Sequence, residues 1–357
     1  VTGRGDDGGD IEAMLAGDGS VVRLGGPDVA VDESAIPEGF TGVIVPTSGS
    51  TGTPKAVMLS RAALIVAADA VHARLGGPGV WVNPLPGWYV AGLMTRVRAL
   101  VAGTAHHQIS PHLEDLPRPG SRSYISLVPA HLHRALSDPA LAERLAGYEA
   151  VLIGGSALGH ALRDQAERAG VRVVTTYGMS ETCGGVVYDG TPLDGVHVEI
   201  ADPVDEIGRV LLTTPTLFEG YLGDPVHTAL VRRDGSLWTF DRGRLVGSRL
   251  EILGRVDDVV QSGGTNVDLA QMQRLLDARF PHQTACFAVP DPVWGSTVIV
   301  ASTGPGRDVV LDVLAPHITS AARPRGFLRV DAVPLSTSGK IDRASLVEKW
   351  RQDGDRA

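Results

Sequence analysis

Short apolar runs alternate with longer amphipathic stretches between residues 43 and 174, and no other feature of this sequence limits the possible folds as tightly. Residues 43–45, 124–128, 151–153 and 171–174 read as buried strands, whereas 61–75 and 160–169 carry the spacing of helices. Strand, helix, strand alternation predicts an α/β sheet. From 208 to 253 the pattern changes to short strands, such as 209–213 and 250–253, separated by Gly, Asp and Pro, which predicts a small β-rich subdomain. The stretch Gly254-Arg255-Val256-Asp257-Asp258 then marks a boundary, beyond which a helix is expected at 269–280 and strands at 285–289 and 297–301. The expected organisation is a large N-terminal α/β domain containing the β-rich subdomain, residues 1–254, and a smaller C-terminal α+β domain, residues 255–357. Residues 1–40 show little periodicity apart from 11–15 and read as a partly ordered lead-in.

The 357 residues are 43% hydrophobic and 20% charged, enough apolar material for a sizeable core. A formal charge of -9 argues against general affinity for nucleic acid or an anionic membrane, so any phosphate must be held by local groups. No run reaches the roughly 18 apolar residues of a membrane span, and the acidic, Gly-rich first forty residues do not resemble a signal sequence, so a cytoplasmic protein is expected. Cys183 and Cys286 are too few for a disulfide framework and are expected to be reduced thiols. A homodimer is left open.

Three polar clusters carry the chemistry. The first, Thr47-Ser48-Gly49-Ser50-Thr51-Gly52-Thr53-Pro54-Lys55, lies between an apolar strand and a helix beginning near Ser60. Glycines let backbone N–H groups turn toward an anion, hydroxyls add neutral donors, and lysine adds a point charge, so the loop suits phosphate. It departs from the usual P-loop because Lys55 follows Pro54 and no hydroxyl residue follows it. The second, Tyr177-Gly178-Met179-Ser180-Glu181-Thr182, is expected just after the strand at 171–174, at the carboxyl end where open α/β sheets bind ligands. The third, Pro334-Leu335-Ser336-Thr337-Ser338-Gly339-Lys340-Ile341-Asp342-Arg343, presents a lysine on a polar turn, a suitable mobile cation for phosphoryl or carboxyl oxygen.

In this order and with these separations, the clusters resemble the acyl-adenylate-forming superfamily, which includes acyl-CoA synthetases, firefly luciferase and peptide-synthetase adenylation domains. The likeness runs over about residues 41–345 and extends to a ribose-aspartate motif at Thr239-Phe240-Asp241 and a hinge motif at 254–258. It implies an ATP-dependent ligase whose C-terminal domain is mobile and which forms an acyl-adenylate and then a thioester, with ATP, Mg2+ and coenzyme A as its small molecules. By the same resemblance, Ser48, Ser50, Thr51, Thr53 and Lys55, in a loop with Thr47, Gly49 and Gly52, would cradle the β- and γ-phosphates. Gly154, Gly155 and Ser156 would border adenine, and Tyr177, followed by Gly178, would stack on it. Ser180 would meet the α-phosphate and Glu181 would help hold Mg2+. Asp241 would accept the ribose hydroxyls, with Arg255 near the same sugar. Lys340 would bridge the attacking carboxylate and the α-phosphate, and Asp257 would serve the hinge. Three departures stand out: Ser180 where Thr is usual, Phe240 where Gly is usual, and Tyr89 where the motif beside the acyl pocket has His. The segment before the phosphate loop is also shorter than usual.

Within the superfamily, the compact length and the stretches 124–132 and 89–100 resemble the 2-succinylbenzoate:CoA ligases of menaquinone biosynthesis in their short actinobacterial form. That acid keeps a second carboxylate after the first is activated, and a desolvated carboxylate needs a cation or several donors. Tyr89 and Gly92 would border the acyl pocket, and Arg98 is the candidate for the distal carboxylate, the alternative being an ordinary surface-helix arginine. Two other functions remain open on the sequence: an adenylation enzyme loading a carrier protein, and a nucleotide-binding protein without turnover.

Overall fold

The computed structural model describes residues 8–25, 32–47, 55–335 and 341–353; Ser48, Gly49, Ser50, Thr51, Gly52 and Thr53 of the phosphate loop, and Lys340, lie outside them. Around the center of the chain runs a seven-stranded sheet in the order Thr191–Pro192, Gly184–Tyr188, Val173–Met179, Ala150–Ile153, Ser123–Leu127, Val80–Asn83, His106–Gln108. From Val173–Met179 to His106–Gln108 neighbouring strands are parallel, and Gly184–Tyr188 and Thr191–Pro192 add an antiparallel edge. The central strands Ser123–Leu127 and Ala150–Ile153 are buried throughout, as expected where helices cover both faces of a parallel sheet. One core packs the helices Arg61–Arg74 and Val90–Ala102 through Leu64, Val71, Leu93 and Val97; another gathers Leu132, Leu145 and Ala166 on strand residues Ile125, Val151 and Ile153.

A four-stranded sheet, Val21–Arg23, Gly42–Thr47, Lys55–Ser60 and Gly220–Tyr221, carries the candidate phosphate loop. The helix expected near Ser60 is Arg61–Arg74, and the structure adds a strand that the sequence reading did not assign: Lys55–Ser60 precedes that helix and pairs antiparallel with Gly42–Thr47, Thr47 opposite Lys55. Ser60 caps that helix by accepting from the Ala63 N–H at 3.4 Å. Within the described part of the lead-in, the helix Gly8–Ala16 buries Ile11 and Met14 (2% and 0% exposed) in the main core, and Val21–Arg23 pairs in parallel with Gly42–Thr47.

The β-rich part is a five-stranded antiparallel sheet of His197–Val204, Ile207–Thr213, Ser236–Val246, Arg232–Arg233 and Arg249–Arg255, so it begins earlier than the expected 208 and includes one strand of 11 residues. A further five-stranded sheet, Thr265–Asp268, Val259–Ser262, Gly295–Ser302, Thr284–Asp291 and Gly326–Arg329, packs the helix Leu269–Arg279 on one face and the final helix Arg343–Asp353 on the other, each with its own core. Large α/β, small β-rich and C-terminal α+β parts are thus all present. Arg242 Nη1 pairs with Asp268 Oδ2 at 2.9 Å, and Arg274 donates to the Leu253 carbonyl, tying the third sheet to the fourth.

Candidate active site

The strand Val173–Met179 does not stop at 174 but runs on through Tyr177, Gly178 and Met179, so the second cluster is the end of a strand rather than the loop after it. Gly178 is required there: a Cβ would lie 1.9 Å from the Gly184 carbonyl oxygen of the adjoining strand, a backbone atom that cannot yield. Ser180, Glu181 and Thr182 then form a single 3-10 turn, closed by Thr182, whose hydroxyl accepts from the Met179 N–H at 3.0 Å and donates to the Gly184 carbonyl at 2.7 Å. The turn holds Glu181 half-buried, with its carbonyl accepting from the Phe218 N–H at 2.9 Å.

Four polar residues from three separate stretches of the sequence form one chain of hydrogen bonds and an ion pair. Tyr177 donates its hydroxyl to Asp241 Oδ2 at 2.8 Å; Asp241 Oδ1 lies 3.6 Å from Arg255 Nη1; and Arg255 grips Asp257 through Nε at 2.7 Å and Nη2 at 2.9 Å. Strand register creates this chain, because Asp241 and Arg255 are cross-strand partners. Burial, then the adjacent Asp241 carboxylate, pushes the Tyr177 hydroxyl well above its ordinary pKa, so it remains a donor. Burial works against the charge of Arg255, yet the Asp257 bond and the Asp257, Asp241 and Asp258 carboxylates outweigh it and raise its pKa.

A second chain was not legible in the sequence. Tyr221 donates to Glu181 Oε1 at 2.6 Å, and Lys55 Nζ sits 4.6 Å from the center of the same tyrosine ring. Burial, followed by Glu181, raises the Tyr221 pKa and keeps that proton in place. Nothing in the spacing points to Tyr221; it reaches Glu181 because Gly220–Tyr221 pairs with Met58 and Val57 of the strand Lys55–Ser60. Thr47, at the other side of the loop, donates to the Lys55 carbonyl at 3.5 Å. Gly154, Gly155 and Ser156 follow the strand Ala150–Ile153 at its carboxyl end, with Gly155 and Ser156 exposed and Gly154 bonded to the Leu127 carbonyl at 3.1 Å.

The residues proposed for the acyl pocket lie on and before one helix. Tyr89 precedes the helix Val90–Ala102, and Gly92 in its first turn lies against Pro86, where a Cβ would meet the carbonyl oxygen at 2.3 Å. Arg98, on the same helix, is no surface arginine: it is 4% exposed, with its guanidinium 4.8 Å from the center of the Trp81 ring. Three buried nitrogens there, Arg98 Nε, Trp81 Nε1 and His72 Nε2, have no hydrogen-bond partner among the described residues, and the His72 and Trp81 rings are 6.4 Å apart. Burial pushes the Arg98 pKa down, with Tyr188 opposing. Cys183 and Cys286 are free thiols, both buried, and burial raises the pKa of each, which leaves them poor nucleophiles.

Residues 25–222 match the AMP-binding enzyme family. The chain belongs to that family. A probable 2-succinylbenzoate–CoA ligase of Mycobacterium tuberculosis is 38% identical to this AMP-binding enzyme over 332 residues, 88% of this chain and 85% of the relative. ATP-bound MatB from Rhodopseudomonas palustris matches with a TM-score of 0.77 at 25% identity, over 87% of this chain and 68% of that one. o-Succinylbenzoate CoA synthetase from Bacillus subtilis, in complex with its acyl-adenylate intermediate, shares the fold with a TM-score of 0.74 at 22% identity, over 85% and 68% of the two chains. An AMP-binding enzyme's magnesium fits the donors present. Mg2+ usually takes one or two carboxylates together with substrate phosphates rather than an all-protein cage, and Glu181 is such a carboxylate, engaged by Tyr221 at only one oxygen. No cluster of three or more His, Cys, Asp or Glu side chains able to form a cage occurs among the described residues.

Proposed function

We propose that this chain joins 2-succinylbenzoate to coenzyme A in two steps. A carboxylate oxygen of the acid attacks the α-phosphorus of ATP and diphosphate leaves, giving the acyl-adenylate; the CoA sulfur then attacks the acyl carbon, its proton is released, and AMP departs. The observation that carries the reading is the chain Tyr177–Asp241–Arg255–Asp257, which starts on the strand running into the Glu181 turn and ends on the segment that leads into the C-terminal sheet. It supplies a ring, a carboxylate and a guanidinium for a nucleoside, and in-line displacement at phosphorus asks the protein mainly for positioning and charge neutralisation.

In this reading Thr47, Lys55 and the loop between them hold the β- and γ-phosphates, and Gly154, Gly155, Ser156, Tyr177 and Gly178 border adenine. Asp241 and Arg255 take the ribose, and Ser180 the α-phosphate. Glu181 holds Mg2+, whose contribution when bound is to neutralise the phosphates. Lys340 stabilises the charge that develops between carboxylate and phosphorus. Tyr89 and Gly92 border the acid, and Arg98 receives its distal carboxylate. Residues 1–254 and 255–357 act as two domains that reorient at Asp257 between the half-reactions. No described helix is long and apolar enough to cross a membrane, and a cytoplasmic location belongs to the proposal. The deciding experiment follows AMP and diphosphate release over a screen of acids, with and without CoA. Diphosphate release that requires 2-succinylbenzoate, and AMP release that requires CoA as well, are expected; loading of a carrier protein with indifference to CoA would replace the acceptor, and absence of any turnover would leave only nucleotide binding.

A further inference from the structure

Phe240 occupies the position where the resembling ribose motif carries glycine, and it is 37% exposed on the strand Ser236–Val246 beside Asp241. Two guanidiniums approach its ring, Arg209 at 5.2 Å and Arg255 at 5.7 Å from the centroid. They belong to a longer series along the sheet: Arg233 and Arg209 lie 5.1 Å and 5.5 Å from the Trp238 ring, which shares a strand face with Phe240. Arg209 is itself fixed, because it donates to the backbone carbonyls of Trp238 and Thr239 on either side of the strand's face change. The series ends at Arg255, where the nucleotide candidates meet the segment leading to the C-terminal sheet.

Arg255 faces a competition. Asp257 binds it by two short hydrogen bonds, 2.7 Å and 2.9 Å, whereas Asp241 is 3.6 Å away. Were these its only contacts, the guanidinium would follow Asp257 whenever the turn Val256–Asp258 moved. The Phe240 ring lies on the Asp241 strand and attracts the cation toward that side. We propose that Phe240 is a positioning residue that keeps the Arg255 guanidinium beside Asp241 and the nucleoside, so that the Asp257 bonds are the ones that open. The inference rests on the reading of Asp241 and Arg255 as ribose contacts.

The test is calorimetric titration of the full chain with AMP, which needs neither the acid nor CoA. Phe240→Leu keeps an apolar side chain but removes the π face, and should weaken AMP binding about twofold to fivefold, the range of an exposed cation–π contact. Phe240→Trp should restore it. In an Arg255→Ala background, Phe240→Leu should cost nothing further, since its effect passes through that guanidinium. Thermal midpoints of the variants should match the parent. Equal affinity of parent and Phe240→Leu overturns the inference, as does an equal loss in both backgrounds, which would make the effect independent of Arg255. A parent that binds no AMP sinks the nucleotide reading along with it, an outcome separate from AMP binding that is indifferent to residue 240.

Discussion

The two arginines Arg255 and Arg98 sit in opposite electrostatic circumstances. Arg255 is partly exposed and surrounded by carboxylates, with a bidentate partner in Asp257 and a second anion in Asp241. Arg98 is almost wholly buried, rests on Trp81, and has no carboxylate partner among the described residues. A buried cation without an anion costs several kcal/mol unless something pairs with it. In the proposed reading, the nucleotide side is therefore a site that the protein organises by itself, through Tyr177, Asp241, Asp257, Glu181 and Tyr221, whereas the acyl side around Arg98 is one that its ligand would complete. Preorganised dipoles favour a charge-developing reaction; an unpaired buried cation favours selection of one acid over another.

The largest effect should come from the group that complements the preorganised side. Lys340→Ala is expected to reduce adenylation by about a hundredfold or more, the scale for one electrostatic group aimed at transition-state charge. Thioester formation from preformed acyl-adenylate should largely survive. Single-turnover assays of the two half-reactions decide this, and equal losses in both would remove Lys340 from the first step.

Arg98→Ala should come next, at about 1.5 to 3 kcal/mol, or roughly tenfold to a hundredfold in catalytic efficiency on 2-succinylbenzoate, the range for hydrogen bonds to a charged group. An analogue lacking the distal carboxylate should be a poor substrate for the parent and little changed by the variant. Lysine should rescue incompletely, because it keeps the charge but not the planar fork. A uniform drop for both acids, or none, would mean that the buried cation does not read the acid, and the contrast between the two arginines would lose its functional meaning.

These residues also show where sequence reasoning reaches its limit. Strand and helix alternation fixed the α/β class because buried parallel strands are continuous apolar runs, and Ser126, Leu127, Val151 and Leu152 sit where those runs placed them. The strand after the phosphate loop went unassigned, since its apolar run, Ala56 to Leu59, directly abuts the helix cap at Ser60 and merges in the sequence with the helix that follows. Ile11 and Met14 looked like an isolated apolar patch; only the main core shows what they cover. Asp241 and Arg255 were legible as motif residues, but the hydrogen bond from Tyr177 and the contact of Tyr221 with Glu181 depend on how separate sheets meet, across 64 and 40 residues of sequence. Arg98 was legible as a charge on a helix and not as a buried one, because burial at one helical position depends on which neighbours pack there.

Tyr221→Phe tests the preorganised side at a single hydroxyl. It removes the 2.6 Å bond to Glu181 and leaves the ring under Lys55. The expected result is a rise of about threefold to tenfold in the Mg2+ concentration needed for half-maximal adenylation, the range for the net contribution of an ordinary hydrogen bond, with the affinity for the acid unchanged. If Mg2+ dependence stays as in the parent, Glu181 is not oriented by Tyr221, and the nucleotide side is less preorganised than the contrast requires.

The smallest effect is on stability, and it sets the two arginines directly against each other. Methionine approximates the length of an arginine stem without its charge, and its sulfur packs well beside an aromatic ring. Arg98→Met should therefore raise the thermal midpoint of the ligand-free chain, by about 2 °C if the net gain is near 1 kcal/mol, because it removes an unpaired charge and keeps contact with Trp81. Arg255→Met should do the opposite or nothing, since it leaves Asp241 and Asp257 without their shared cation at a partly exposed position where the pairs contribute little. Saturating acid should then separate them again: a ligand that binds only the folded state raises the midpoint by mass action, so 2-succinylbenzoate should stabilise the parent and Arg255→Met but hardly affect Arg98→Met. Differential scanning fluorimetry on the three proteins, with and without the acid, measures all of these shifts. A lower midpoint for Arg98→Met would show that the guanidinium is already satisfied within the fold, and Arg98 would then be a packing residue rather than half of a site awaiting its carboxylate.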